Sequence, residues 1–306
     1  MTKTRMIQKV IKSKPTLEGA GVHLRRALGF SEAPRFDPFL LLDDFRNTEP
    51  RHYLKGFPWH PHRGIETITY ILEGRVEHGD SLGNNGVIGV GDVQWMTAGS
   101  GIIHQEMPKG DAAGHMGGFQ LWSNLPAAQK MMPPRYRDVA SQQVPVVTTA
   151  GGATVRVICG QVEGVRGPVR DIVTDPEYLD VTVPAEAQFT HPTKAGYTVV
   201  AYVIEGQGSF CQAQAPFSYA VEGQNYFDLE APAPVTNGGL VAFDDGDQIV
   251  VATDEEPVRF LLMSGKPIGE AVAWYGPIVM NTLEELQLAF DEYRNGTFLK
   301  TQAPSA

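Results

Sequence analysis

The chain has 306 residues, 42% hydrophobic and 20% charged, with a net charge of −10 and only two cysteines, Cys159 and Cys211. That length suits about two domains that bury their own cores. The acidic balance argues against direct nucleic-acid binding, and two cysteines are too few for a disulfide framework. No run of about 18 apolar residues exists to span a bilayer, and the N-terminus lacks a signal-peptide apolar core, so the expectation is a cytoplasmic protein with both thiols free.

Taken in chain order, the first element is KTRMIQKVIKSK (3–14), read as a solvated first strand. The stretch FPWHPHRGIETITY (57–70) follows. Here His60 and His62 flank Pro61, which favours an extended backbone. Alternate residues of a strand share a face, so both imidazoles point to one side and a metal can satisfy both ring nitrogens. After turn-rich EGRVEHGDSLGNNG (73–86) and the glycine-rich turn TAGSG comes GIIHQEM (101–107), with His104 and Glu106 again at i and i+2. Three imidazoles and one carboxylate on adjacent strands suit Fe, Mn, Ni, Cu, Zn or Co. On an octahedral metal they leave open positions, the mark of a catalytic site. Glu66 shares the parity of His60 and His62. It can compete with Glu106 for the metal or orient an imidazole, unless Gly64 breaks the parity. His23, His52, His78, His115 and His191 have no neighbour at ligand spacing and read as surface or hydrogen-bonded residues. Phe57, Trp59, Glu66, Trp95 and Met107 are the candidates for a substrate pocket, flanking the ligand pairs.

Segment 124–145, with four prolines and no period, reads as an interdomain connection. The second half repeats the first. TVVAYVIEGQGSFCQ (198–212) matches ETITYILEGRVEHGD (66–80) through Tyr70/Tyr202 and Gly74/Gly206, and VGD (90–92) matches DGD (245–247). Short strands at this spacing, including QIVVA (248–252) and RFLLM (259–263), predict an all-β protein of two barrels. Aligned through the shared glycines, His60 and His62 face Pro192 and Lys194, and Glu66 faces Thr198. The DGD offset sets Arg259 and Leu261 against His104 and Glu106, with His191 one position out of register. The second copy therefore reads as metal-free. Near the end, Leu283, Leu286, Phe290 and Tyr293 form a helical stripe over 282–295, with Thr282 and Glu285 at capping-box spacing, Gly296 as a stop and a loose tail beyond. Neither a nucleophile elbow nor a P-loop is present, since TAGSGI lacks G-x-S-x-G and GNNGVIGVGD (83–92) lacks its Lys-Ser/Thr.

FDPFLLLDDF (36–45), FPWHPHRGIETITYILEG (57–74), TAGSGIIHQEMP (97–108), FQLWSNLP (119–126) and YGPIVMNTLEE (275–285) resemble the pirin family of the cupin superfamily, from about Arg5 to Phe298. The resemblance implies two cupin (double-stranded β-helix, jelly-roll) barrels in tandem with a short C-terminal helix. Residues 1–135 would form the metal-bearing barrel, and 145–306 a barrel without ligands plus the helix. It also implies one mononuclear divalent metal, Fe(II) first, on His60, His62, His104 and Glu106, and favours Glu106 over Glu66. Some bacterial pirin-like proteins are quercetin 2,3-dioxygenases, which implies a flavonol and dioxygen as substrates, with Glu106 or Glu66 as the acceptor of the hydroxyl proton. Eukaryotic pirins also resemble the chain and act as co-regulators that bind transcription factors, so a metal-responsive regulator with a protein partner is the alternative.

Overall fold

A computed structural model of the protein describes residues 2–211, 220–222 and 234–300. The architecture is two β-barrels of cupin type, one after the other, as the repeat implies. The last residues, including the tail expected to be loose, lie outside the described ones, as does Gln212 at the end of the repeat.

The two compact units are not the contiguous stretches 1–135 and 145–306. The first barrel comprises Pro15–Ser141 with Ile268–Ala306, and the second comprises Met1–Lys14 with Gln142–Pro267. Both chain ends thus change sides. Strand Ile7–Lys12 is antiparallel to Gly239–Phe243 and buries Ile7, Val10 and Ile11 in the second barrel. Arg5, placed in a solvated segment by the sequence, is 1% exposed there and donates to Thr193 Oγ1 and to the Asp244 and Lys194 carbonyls. At the other end, Ile278, Met280, Leu286, Ala289 and Phe298 form a small core with Ile103 of the first barrel.

The first barrel is built of two sheets. The larger runs Arg135–Val139, Val93–Thr97, Ile65–Glu73, Gly117–Asn124, Phe39–Asp44, Val22–Leu28, Lys14–Glu18; the smaller runs Phe57–His62, Ile102–Lys109, Arg75–Asp80, Asn85–Ile88. Segment 124–145 is therefore more than a connection. It folds as the helical turn Ala127–Lys130 and a strand that pairs residue for residue with Val93–Thr97. The prolines had masked a strand of alternating Arg135, Arg137 and Val139, which sits at the sheet edge where prolines nearby cost no ladder bond.

Between the two sheets the chain turns at Gly64, whose φ is +79° and where a Cβ would meet the Val279 carbonyl oxygen at 1.9 Å. Only glycine fits there. The glycines that anchor the repeat, Gly74 and Gly206, adopt the same left-handed conformation, at φ +69° and +65°. The C-terminal helix is Leu283–Arg294 with the expected capping box of Thr282 and Glu285. Its core face is Leu286, Ala289 and half-buried Phe290, whereas Leu283 is 72% exposed, so the stripe is narrower than its apolar spacing suggests.

Candidate metal centre

His60 and His62 lie on Phe57–His62, and His104 on the neighbouring Ile102–Lys109; His104 stands directly opposite His60. The three rings converge. His60 Nε2 is 3.1 Å from His62 Nε2 and 2.9 Å from His104 Nε2. Burial lowers the proton affinity of all three, most strongly at His62 and His104.

The outer nitrogens fix the tautomers. His60 Nδ1 is 2.8 Å from the Pro58 carbonyl and His62 Nδ1 is 3.0 Å from the Pro277 carbonyl. A carbonyl only accepts, so both Nδ1 atoms carry the proton and both Nε2 atoms present a lone pair. Two lone pairs then face each other at 3.1 Å. A proton on His104 Nε2 bridges only one of them. A divalent cation takes all three nitrogens at once, and the histidine trio fits such an ion on the chemistry of its donors.

Glu106 is buried on the same strand as His104, but its carboxylate lies outside the group of ligand atoms that the three histidines form. Oε1 accepts from Thr69 Oγ1 at 2.9 Å, and burial pushes the carboxyl up to about 7 despite that bond. A bulge explains its direction. Glu106 pairs with Phe57 rather than Pro58, so one extra residue is accommodated on the histidine strand and Phe57 turns to the side of His60.

A cavity of about 540 Å³ opens at the trio, walled by His60, His62, Glu106, Phe57, Trp122 and Trp274. Trp122 stands edge-on to His62, with ring centres 5.0 Å apart, and Trp274 and then Phe30 follow at 5.9 and 5.4 Å. A larger cavity, about 860 Å³, opens in the second barrel beside Glu177 and Lys194, away from the trio.

Of the five pocket residues proposed from sequence, only Phe57 lines the 540 Å³ cavity. Trp59 alternates outward and is 53% exposed. Trp95 is core, 2% exposed, paired with Ile68 and Arg137. Met107 sits one residue off the parity of Glu106, opposite Glu77. Glu66 belongs to the other sheet, beyond the Gly64 turn, so its parity with His62 has no meaning; its Oε1 accepts from Thr97 Oγ1 and its Oε2 has no partner.

His78, read as an ordinary histidine, is 4% exposed with Nε2 3.2 Å from His104 Nδ1. It lies opposite Glu106 across the sheet. Its place in EHGD, on a strand flanking that of His104, was the available signal. Trp122 and the Pro277 carbonyl were also missed; a backbone carbonyl leaves no mark in a sequence.

Among its described residues the second barrel lacks the trio, but not by the alignment that the DGD offset suggested. The strand between Gln188–Pro192 and the end of Thr198–Phe210 is Gln248–Ala252, so it, and not Val258–Gly265, stands in the place of Ile102–Lys109. Pairing puts Ile249 opposite His191, as His104 is opposite His60. The connection from Pro192 to Thr198 is longer than that from His62 to Ile65 and accounts for the one-residue offset of His191, which occupies the place of His60 and binds Glu177 Oε2 at 2.8 Å. Neither Cys159 nor Cys211 forms a disulfide, and both are buried.

Comparison with known proteins agrees with this architecture. The Pirin family model matches residues 21–123, and the model described as the pirin C-terminal cupin domain matches 178–299. A pirin-like protein of Caulobacter vibrioides is 43% identical, covering 96% of this chain and 99% of the relative. A pirin-like protein of Arabidopsis thaliana is 38% identical over 96% of this chain and 90% of its own length. The crystal structure of a quercetin 2,3-dioxygenase from Acinetobacter baumannii superposes with a TM-score of 0.82 at 27% identity, covering 97% of this chain and 99% of that one. With both barrels matched and nearly its whole length aligned to these relatives, the chain belongs to the pirin family.

Proposed function

We propose that the protein is a metal-dependent dioxygenase that cleaves flavonols such as quercetin. The observation that carries this reading is the convergence of three imidazole Nε2 atoms at the wall of an aromatic cavity. The similarity to a solved quercetin 2,3-dioxygenase supports it. His60, His62 and His104 would hold one divalent ion, Fe(II) being the metal that the family resemblance implies, with Glu106 the fourth candidate ligand. Bound there, the ion supplies Lewis acidity toward the hydroxyl and carbonyl oxygens of a flavonol and makes the hydroxyl more acidic.

The remaining work falls to the chain itself. Glu106 Oε is the acceptor for the hydroxyl proton, and Thr69 Oγ1 holds that carboxylate in place. Trp122 and Trp274 offer flat faces along which a planar ring system stacks. Burial of His62 and His104, at 2% and 0% exposure, keeps water from competing for the inner nitrogens. Oxygen uptake with quercetin tests the reading. Metal-loaded protein is expected to consume oxygen and His62→Ala to consume none. Fully loaded protein that turns over no flavonol overturns the enzyme reading.

A further inference from the structure

Arg63 follows His62 directly, is 2% exposed, and takes no part in the chemistry above. Its guanidinium is spent on fixing the end of the chain. Nε donates to the Ser100 carbonyl at 2.7 Å, Nη2 donates to the Phe298 carbonyl at 2.8 Å, and Nη1 pairs with Glu292 at 2.8 Å. The Phe298 ring lies beneath it, 4.2 Å from the guanidinium carbon. The Arg63 carbonyl also accepts from Val279 N–H at 3.1 Å. Lys130 Nζ adds a second tie, bridging the carbonyls of Gly64 and Val279. Between these anchors lies Pro277, whose carbonyl accepts a hydrogen bond from His62 Nδ1–H. Trp274 and Gly276 of the same segment wall the cavity.

We infer that Arg63 is a positioning residue, and that docking of segment 268–300 through it sets the His62 ring, so that metal binding and docking of that segment stabilise each other. The argument is geometric. Without the Pro277 carbonyl, His62 Nδ1 loses its acceptor, and the ring is free to turn or to place its proton on Nε2, which cannot then ligate. Coupling of this kind is reciprocal: whatever the segment adds to metal affinity, the metal returns to the segment. The inference rests on the metal reading of the histidine trio.

The test uses the full-length protein with Co²⁺ as the probe, its visible absorption reporting coordination. Amide hydrogen exchange of 268–300 is followed with and without the ion. Loading is expected to slow exchange at Val279 and its neighbours. Arg63→Met is expected to weaken Co²⁺ binding by about 10–100-fold, the range for residues that orient a ligand, with an altered absorption band. Arg63→Lys should restore binding only in part, because an ammonium cannot make the forked contacts. If Arg63→Met fails to fold, Phe298→Ala and Glu292→Ala loosen the same anchor from its other side and carry the same expectation. Wild-type protein that takes up no Co²⁺ overturns the metal reading and the inference with it. Normal uptake with unchanged exchange in 268–300, or variants that bind with wild-type affinity and spectrum, overturns the inference alone.

Discussion

The two barrels share a strand order and differ in what fills them. In the second, Val203 pairs with Phe260 and Ala201 with Leu262. In the first, the corresponding residues Ile71 and Thr69 pair with Gly118 and Gln120. Two large apolar side chains in one barrel are thus a glycine and an amide in the other. Likewise Val251 faces Phe210 where Glu106 faces His78, and Ile249 stands in the place of His104. The second interior closes into one apolar cluster that includes Phe189, Phe210 and Phe260. The first is broken into smaller clusters around a cavity. A site of this kind requires removal of core volume as well as addition of ligands, and the volume removed is stability forgone.

Exchanging residues between the barrels tests that contrast. The largest effect is expected from His104→Ile, which gives the first barrel the second one's residue: metal content by elemental analysis falls to background and flavonol-dependent oxygen uptake disappears. Next, Phe260→Ala in the filled barrel opens a cavity at a residue with no exposure and is expected to cost about 3–5 kcal/mol, measured by urea unfolding. His78→Phe, again the second barrel's choice, removes the contact to His104 Nδ1. It should weaken metal binding by about 10–100-fold in a chelator competition while leaving the fold intact by circular dichroism. A Phe260→Ala protein as stable as wild type would show that the second barrel is not held by its filled interior.

The smallest effect concerns Glu66. Burial raises its carboxyl above the ordinary 4.5, more than the Thr97 hydrogen bond lowers it. The folded state therefore keeps the Glu66 proton at pH values where the unfolded chain has lost it, and stability falls as pH rises from 4.5 upward. Glu66→Gln removes this dependence, so the variant should gain melting temperature relative to wild type at pH 8 and gain least at pH 4.5. An equal difference at both would show that Glu66 titrates alike in both states.

The histidine trio was legible because a strand writes its faces into the sequence at period two, which His60 and His62 obey on one strand and His104 and Glu106 on the next. Inference failed where one residue of backbone geometry intervened. The bulge beside Glu106 turned Phe57 inward, and the longer connection between Pro192 and Thr198 made His191 look misaligned. The Gly64 turn sent Glu66 to another sheet. Repeat alignment failed at the DGD anchor because a turn motif recurs between many strand pairs and carries no pairing information. The exchange of chain ends left no local signal at all. The first strand and the last helix read correctly as elements, but which core they complete is decided by contacts more than two hundred residues away, such as His62 with Pro277.

That exchange of ends bears on how the molecule is made. A ribosome delivers residues 15–141 early, yet the first barrel then lacks the Pro277 carbonyl, the Arg63 anchorage and the Trp274 wall until segment 268–306 is in hand. The second barrel, whose strand Ile7–Lys12 precedes residues 15–141, is complete before segment 268–306. Severing the gene between its two family halves would yield fragments each missing a piece of its own wall, and the histidine trio is expected to reach its final arrangement among the last events of biogenesis.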